Sequence, residues 1–208
     1  MNSLIRKTFA ATASAVIFAI SAGSALAQAP KVLGDKPTFD DLLSPEFSGG
    51  KQKPFKPKDW LEIEAKLKIS LSPEPASKTC ERLTVKWYIA VKNPEKPSTM
   101  LLLTKDVNHV NVPLNEDIYT SVYLSPASIK RLTGFDRAGK GAVEYVGYEV
   151  LVNGEKTFQE TSKGKAGWWN VASDKISRNE SVPLLTKSET PFANMWWDRY
   201  AEVSVERR

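Results

Sequence analysis

W-L-E-I-E-A-K-L-K-I-S-L, Trp60 to Leu71, decides the fold class. Leu61, Ile63, Ala65, Leu67, Ile69 and Leu71 occupy the odd positions, and Glu62, Glu64, Lys66, Lys68 and Ser70 the even ones. Strict period-2 alternation is the mark of a strand with one dry and one wet face. A helix would scatter the same six apolar residues around its circumference. The mixed charge of the even face points to water rather than to a second sheet. If this is an edge strand, another chain can add to it.

The same alternation recurs downstream. Leu83, Val85, Trp87, Ile89 and Val91 share one face of a second strand, where a β-sandwich often buries a tryptophan. Met100–Leu103 reads as a central strand, and Val107–Val112 continues it or forms its own. Ile118, Thr120, Val122 and Leu124 alternate again. Ser125-Pro126, an N-cap followed by a first-turn proline, starts a short helix over Ser125–Thr133, with Gly134 to end it. Asp136–Gly141 is a loop. Ala142–Val152 and Glu155–Thr161 flank Asn153-Gly154, the strongest short hairpin signal. Trp168-Trp169 opens a segment with no clear period. Val182–Leu185 is a short strand, Thr190-Pro191 predicts a helix over Phe192–Trp197, and Ala201, Val203 and Val205 alternate as a last strand. About eight short strands and two helical turns exclude a parallel α/β sheet. They predict an all-β protein, an immunoglobulin-like antiparallel β-sandwich, with a closed barrel as the alternative.

The N-terminal region reads differently. Arg6 and Lys7 precede a short apolar run, and Ala25-Leu26-Ala27 offers small residues for a signal peptidase. Residues 1–27 are therefore expected to be a signal peptide cut between Ala27 and Gln28. The run is shorter than the roughly 20 residues that span a bilayer, and no other segment reads as a transmembrane span. The expected location is exported: periplasm, outer-membrane associated or cell surface. From Gln28 to Lys58, Pro30, Pro37, Pro45, Pro54 and Pro57 break the chain, which reads as an extended N-terminal arm. Phe39, Leu42, Leu43 and Phe47 form an island with the spacing of a helical turn or two. It would lie on the domain's own core or dock on a neighbouring subunit. The domain proper is expected over 59–208.

Composition narrows the function classes. The chain has 29 Lys and Arg against 24 Asp and Glu, a net charge of +5. Lysine and glutamate are interleaved along the strands, whereas a nucleic-acid binder clusters its positive charge, so nucleic acid is not an expected partner. Cys80 is the only cysteine, so there is no internal disulfide. It is either a buried side chain in a turn region or the source of an intermolecular bridge. His109 is the only histidine. One histidine and no thiolate pair do not make a usual zinc site, and neither Asp40-Asp41 nor the residues around His109 have calcium-loop spacing. A serine or cysteine nucleophile would have only His109 as a histidine base, within a strand pattern. Gly134–Gly141 lacks the spacing of a phosphate loop. Catalytic residues, metal ligands and cofactors are expected to be absent. Asn179-Glu180-Ser181 matches a glycosylation sequon by pattern. The aromatic pairs leave one opening: Trp168 and Trp169, or Trp196 and Trp197 with Tyr200 and Asp198, would stack on sugar rings or close the ends of the sandwich. A glycan is thus one possible partner.

The tail S-E-T-P-F-A-N-M-W-W-D-R-Y-A-E-V, Ser188 to Val203, resembles the end of a family of verrucomicrobial secreted proteins of the Akkermansia type. D-W-L-E-I-E-A-K-L at Asp59–Leu67 and W-Y-I-A-V at Trp87–Val91 are similar too. These proteins are described as pilus-like and are encoded beside type IV pilus assembly genes. The resemblance implies an immunoglobulin-like sandwich likened to archaeal pilins, a role in or near a pilus at the cell envelope, and no enzyme activity. The leader departs from a conventional type IV prepilin. In a prepilin, a long hydrophobic helix with an early glutamate follows the cut, whereas here the apolar run precedes it.

Two functions stand open. One is a non-catalytic envelope protein that self-assembles and contacts other pilus or envelope proteins through strand edges and the 28–58 arm. The other is a carbohydrate-binding module using tryptophans. A periplasmic subunit that caps other proteins' strands is a third.

Overall fold

Period-2 alternation in several segments demands a partner face for each, and two sheets packed face to face supply it. The computed structural model describes residues 28–46, 56–137 and 139–204. Its strands are β1 (Gln28–Gly34), β2 (Thr38–Leu43), β3 (Asp59–Ser72), β4 (Thr79–Lys92), β5 (Met100–Pro113), β6 (Ile118–Leu124), β7 (Val143–Val152), β8 (Glu155–Thr161), β9 (Ile176–Arg178) and β10 (Leu185–Thr186). The helices are α1 (Pro126–Thr133) and the single turn α2 (Gly139–Ala142). The first sheet runs β1-β3-β6-β10, with β2 also on β3, and the second runs β8-β7-β4-β5-β9. The protein is an all-β sandwich, consistent with the immunoglobulin-like expectation. One short pairing, β5 with β9, is parallel.

The opening strand provides the floor of the core. Leu61, Ile63, Ala65, Leu67 and Ile69 of β3 are buried against Leu83, Val85, Trp87, Ile89 and Val91 of β4. Val146, Tyr148, Val150 and Val152 of β7 join them. The Trp87 ring lies 5.4 Å from that of Tyr148. Among the described residues, the Trp87 indole nitrogen is the only buried side-chain polar atom without a partner. The α1 helix closes one end with Ile129 and Leu132. Its Ser125 hydroxyl accepts from Ser128 N at 3.2 Å, and Gly134 caps it at φ 79°. At the β7–β8 hairpin, Asn153 and Gly154 sit at φ 51° and 91°, as the two-residue turn requires.

Several expectations need correction. The described part of the N-terminal arm is two strands. β1 pairs with residues 67–72 of β3 and β2 with residues 59–64, both antiparallel. Proline breaks helices but is tolerated at edges and bulges, and Pro30 falls where the β1 register shifts. Phe39, Leu42 and Leu43 are therefore strand residues and not a helical turn; Phe47 lies outside the described residues, as do the signal peptide and Ala27. The β3 strand is interior, flanked by β1 and β2 on one side and β6 on the other. It offers no edge to a neighbour. Cys80 lies within β4, not in a turn. Segments Met100–Leu103 and Val107–Val112 are one strand. The Asp136–Gly141 loop contains the start of α2. Residues 187–189 form a 3-10 turn, and 191–199 are turns and bends rather than a helix. Within the described residues the last strand reduces to isolated bridges at Tyr200 and Val203, and Val205 lies outside them.

Candidate functional site

Each sheet has an outer face, and on each an aromatic-bearing loop folds back over charged strand residues. On the first sheet the cover is the tail that follows β10. Phe192 is buried, stacks on Tyr123 at 5.5 Å and meets Trp60 edge-on at 5.8 Å. Beyond it, Tyr200 donates to Glu64 at 2.5 Å and to Glu62 at 3.1 Å, while Tyr123 donates to Glu62 at 2.6 Å. Arg199 pairs with Glu64 at 2.5 Å and lies 3.7 Å over the Tyr119 ring. Burial raises the Glu64 carboxyl above its usual range, against the lowering pull of Tyr200 and Arg199. Lys187 donates to the carbonyls of Ala193 and Met195 and sits 4.7 Å over the Tyr200 ring. Burial holds its ammonium below the usual lysine range. The wet face of β3 thus meets the chain's own tail at Glu62 and Glu64. Lys66 and Lys68 look outward, paired with Asp35 and Asp117, and Ser70 donates to Asn115.

The tail then crosses between sheets. Tyr119 N on β6 donates to Arg199 O, and Val110 N on β5 donates to Glu202 O at 3.0 Å. Ser204 N returns a bond to Asn108 O at 2.7 Å. One extended segment therefore stitches the first sheet to the second. His109 lies at this seam. Its Nε2 is 2.9 Å from Thr120 Oγ1 and its Nδ1 is 3.2 Å from Ala201 O. Histidine and hydroxyl at hydrogen-bond distance look like a base and a nucleophile, but both are buried among the described residues. Burial lowers the His109 pKa to about 4.

On the second sheet the cover is the loop after β8. The 3-10 turn Trp168–Asn170 lays Trp169 flat on Tyr88, with ring centroids 4.8 Å apart. Tyr88 and Gly147 are register partners, and a Cβ on Gly147 would stand 2.1 Å from the Trp169 ring. The glycine is required by that close approach. Glu149 beneath accepts from Lys156 at 2.6 Å, Trp169 Nε1 at 3.0 Å and Tyr88 at 3.2 Å. Burial alone would raise the Glu149 carboxyl, but Lys156, Trp169 and Asn170 outweigh it and hold it below the usual range. Burial and the Glu149 charge push the Tyr88 hydroxyl to about 12.

The two tryptophan pairs therefore split. Trp169 is buried, whereas Trp168 is half-buried and donates to Thr161 at 3.1 Å. Trp196 is 45% exposed and Trp197 77%. Tyr200 is committed to Glu62 and Glu64, and Asp198 is exposed with no ion pair among the described residues. The sequence reading missed a groove of about 430 Å3 on the second sheet, between Tyr145, Trp168, Val171, Met100 and Ile176, with Lys163 and Lys165 at its rim. Gly147, an isolated glycine in a strand pattern, was the signal for the close packing of Trp169 on the sheet. No group of three or more metal-ligating side chains occurs among the described residues. No described helix is long and apolar enough to cross a membrane.

A protein-family model matches residues 23–207. A crystal structure of a protein from Akkermansia muciniphila is similar with a TM-score of 0.81. The identity is 38%, and the match covers 88% of this chain and 96% of that one. No curated protein matches the chain.

Proposed function

The chain belongs to the family whose model spans residues 23–207, and from that premise we propose that it is a non-catalytic exported envelope protein, pilus-like or pilus-associated, that acts by self-assembly and protein–protein contact. One observation carries the reading. Among the described residues, no strand pairs with the outer edges of β1 and β2. Those edges hold Leu33 and Leu43, 54% and 55% exposed. An unpaired edge with exposed apolar side chains accepts another strand. The resemblance of Ser188–Val203 to the tails of verrucomicrobial secreted proteins supports an envelope setting. The lone histidine, buried in the seam, supports a role without catalysis.

The test is light scattering on the mature chain, residues 28–208, over a concentration series. Concentration-dependent growth above the monomer mass is expected. A monomer at every concentration would end the reading. Pulldown from native envelopes would identify pilus components as partners. Exposure of Trp197 favours one second reading, glycan binding. A glycan array without hits would remove it.

A further inference from the structure

We propose, on the basis of the self-assembly reading, that the aromatic knob Trp196-Trp197 of one copy seats in the Tyr145–Trp168–Val171 groove of a second copy. The knob is unusual in its exposure. Trp87 and Trp169 are buried and Trp60 and Trp168 half-buried, while Trp197 stands free. Trp196 has φ 50°, the left-handed region that a bulky side chain rarely adopts. Its ring stays stacked over Phe192 at 6.5 Å, and Trp197 is left outside that stack.

The groove is suited to such a guest. Its volume of about 430 Å3 falls in the usual range for ligand sites, roughly 300–1,000 Å3. The lining is mainly apolar, and the one indole N–H in it, on Trp168, is already donated to Thr161. The apolar share of the lining favours an apolar side chain as guest. Charge agrees as well. Lys163 pairs with Glu144 at 3.4 Å, but Lys165 has no ion pair among the described residues. Asp198 follows Trp197 directly and is equally unpaired. Seating the indole brings Asp198 toward the lysine rim.

Placement fixes the kind of contact. The knob lies against the outer face of the first sheet, where Phe192 stacks on Tyr123. The groove lies on the outer face of the second, where Trp168 and Tyr145 meet at 5.6 Å. A copy cannot fill its own groove, and the two patches differ. The contact is heterologous, so successive copies add head to tail into a ring or filament.

Sedimentation velocity on the mature chain and two surface variants tests this, with circular dichroism to verify folding. Trp197→Ala removes the knob and leaves the groove. Val171→Arg blocks the groove at an exposed position and leaves the knob. Each variant alone is expected to associate at least tenfold more weakly than wild type, and a mixture of the two to give a one-to-one dimer that grows no further. If wild type assembles and both variants assemble equally well, this contact is wrong while self-assembly stands. If wild type stays monomeric, both fall. If polygalacturonate binds wild type and Val171→Arg abolishes that binding without changing assembly, the groove belongs to an acidic glycan and the proposal is overturned.

Discussion

His109 Nδ1 faces the Ala201 carbonyl, which can only accept, so Nδ1 carries the proton of the neutral ring and Nε2 accepts from Thr120. Protonation would force the Thr120 hydroxyl to reverse and would bury a charge. The folded pKa, about 4 against an ordinary 6.5, means that the unfolded chain binds the proton first. The neutral ring's contribution is fully present above pH about 6.5 and is lost as pH falls toward 4, by on the order of 3 kcal/mol. Glu64 runs the other way, because its raised carboxyl is relieved of its charge as pH falls. Subtracting the unfolding free energies of His109→Gln from wild type across pH 4–7 isolates the imidazole. A slope of this sign is expected, and a flat difference would refute it. Cys80 is fully buried, its thiol pushed up by that burial. A thiol reagent is expected to label it only in denaturant, and a non-reducing gel to show no disulfide dimer. The intermolecular-bridge alternative does not fit this geometry.

Elements on the two outer faces depend on single close approaches. Gly147→Ala places a methyl inside the Trp169 ring. It should expel the indole from Tyr88 and Glu149, at a cost of about 1–3 kcal/mol. Denaturant unfolding and a red shift in tryptophan emission would measure this. Unchanged stability would mean that the loop does not hold the sheet. Alternation located β3, β4, β6 and β7 because each buries one face against a large partner, and the Asn153-Gly154 turn located β8 beside β7. β1 and β2 escaped detection for the converse reason. Within β1 only Val32 is buried among the residues from Ala29 to Gly34, and β2 carries Asp40 and Asp41, so neither has a dry face to write into the pattern. Thr190-Pro191 has the chemistry of a helix start, yet the segment stays in turns. Phe192 gains more by inserting between Trp60 and Tyr123 than a short helix would gain from its own hydrogen bonds.

For the whole molecule, the consequence is that the sandwich extends beyond 59–208. A true arm could be removed without harm. Deleting residues 28–43 instead strips the β3 edge and uncovers Ile63 and Leu67. The truncated chain is expected to unfold at lower denaturant or to aggregate, as measured by thermal unfolding with light scattering. An unchanged midpoint would restore the arm. The aromatic residues show the same division between sequence and structure. All five positions, Trp168, Trp169, Trp196, Trp197 and Tyr200, were visible as candidates. Which faced outward was not, because exposure depends on what folds over them. Period-2 burial is a local property, so the sequence by itself determined the strands with a dry face, the helix capped by Ser125 and the Asn153-Gly154 hairpin. Only the tertiary structure decided that Glu62 and Glu64 on the wet side of Trp60–Leu71 lie under the tail, that His109 fastens a seam, and that a groove and a knob stand on opposite faces. Each of those depends on residues far apart in the chain meeting across two sheets, and no spacing along the chain records such a meeting.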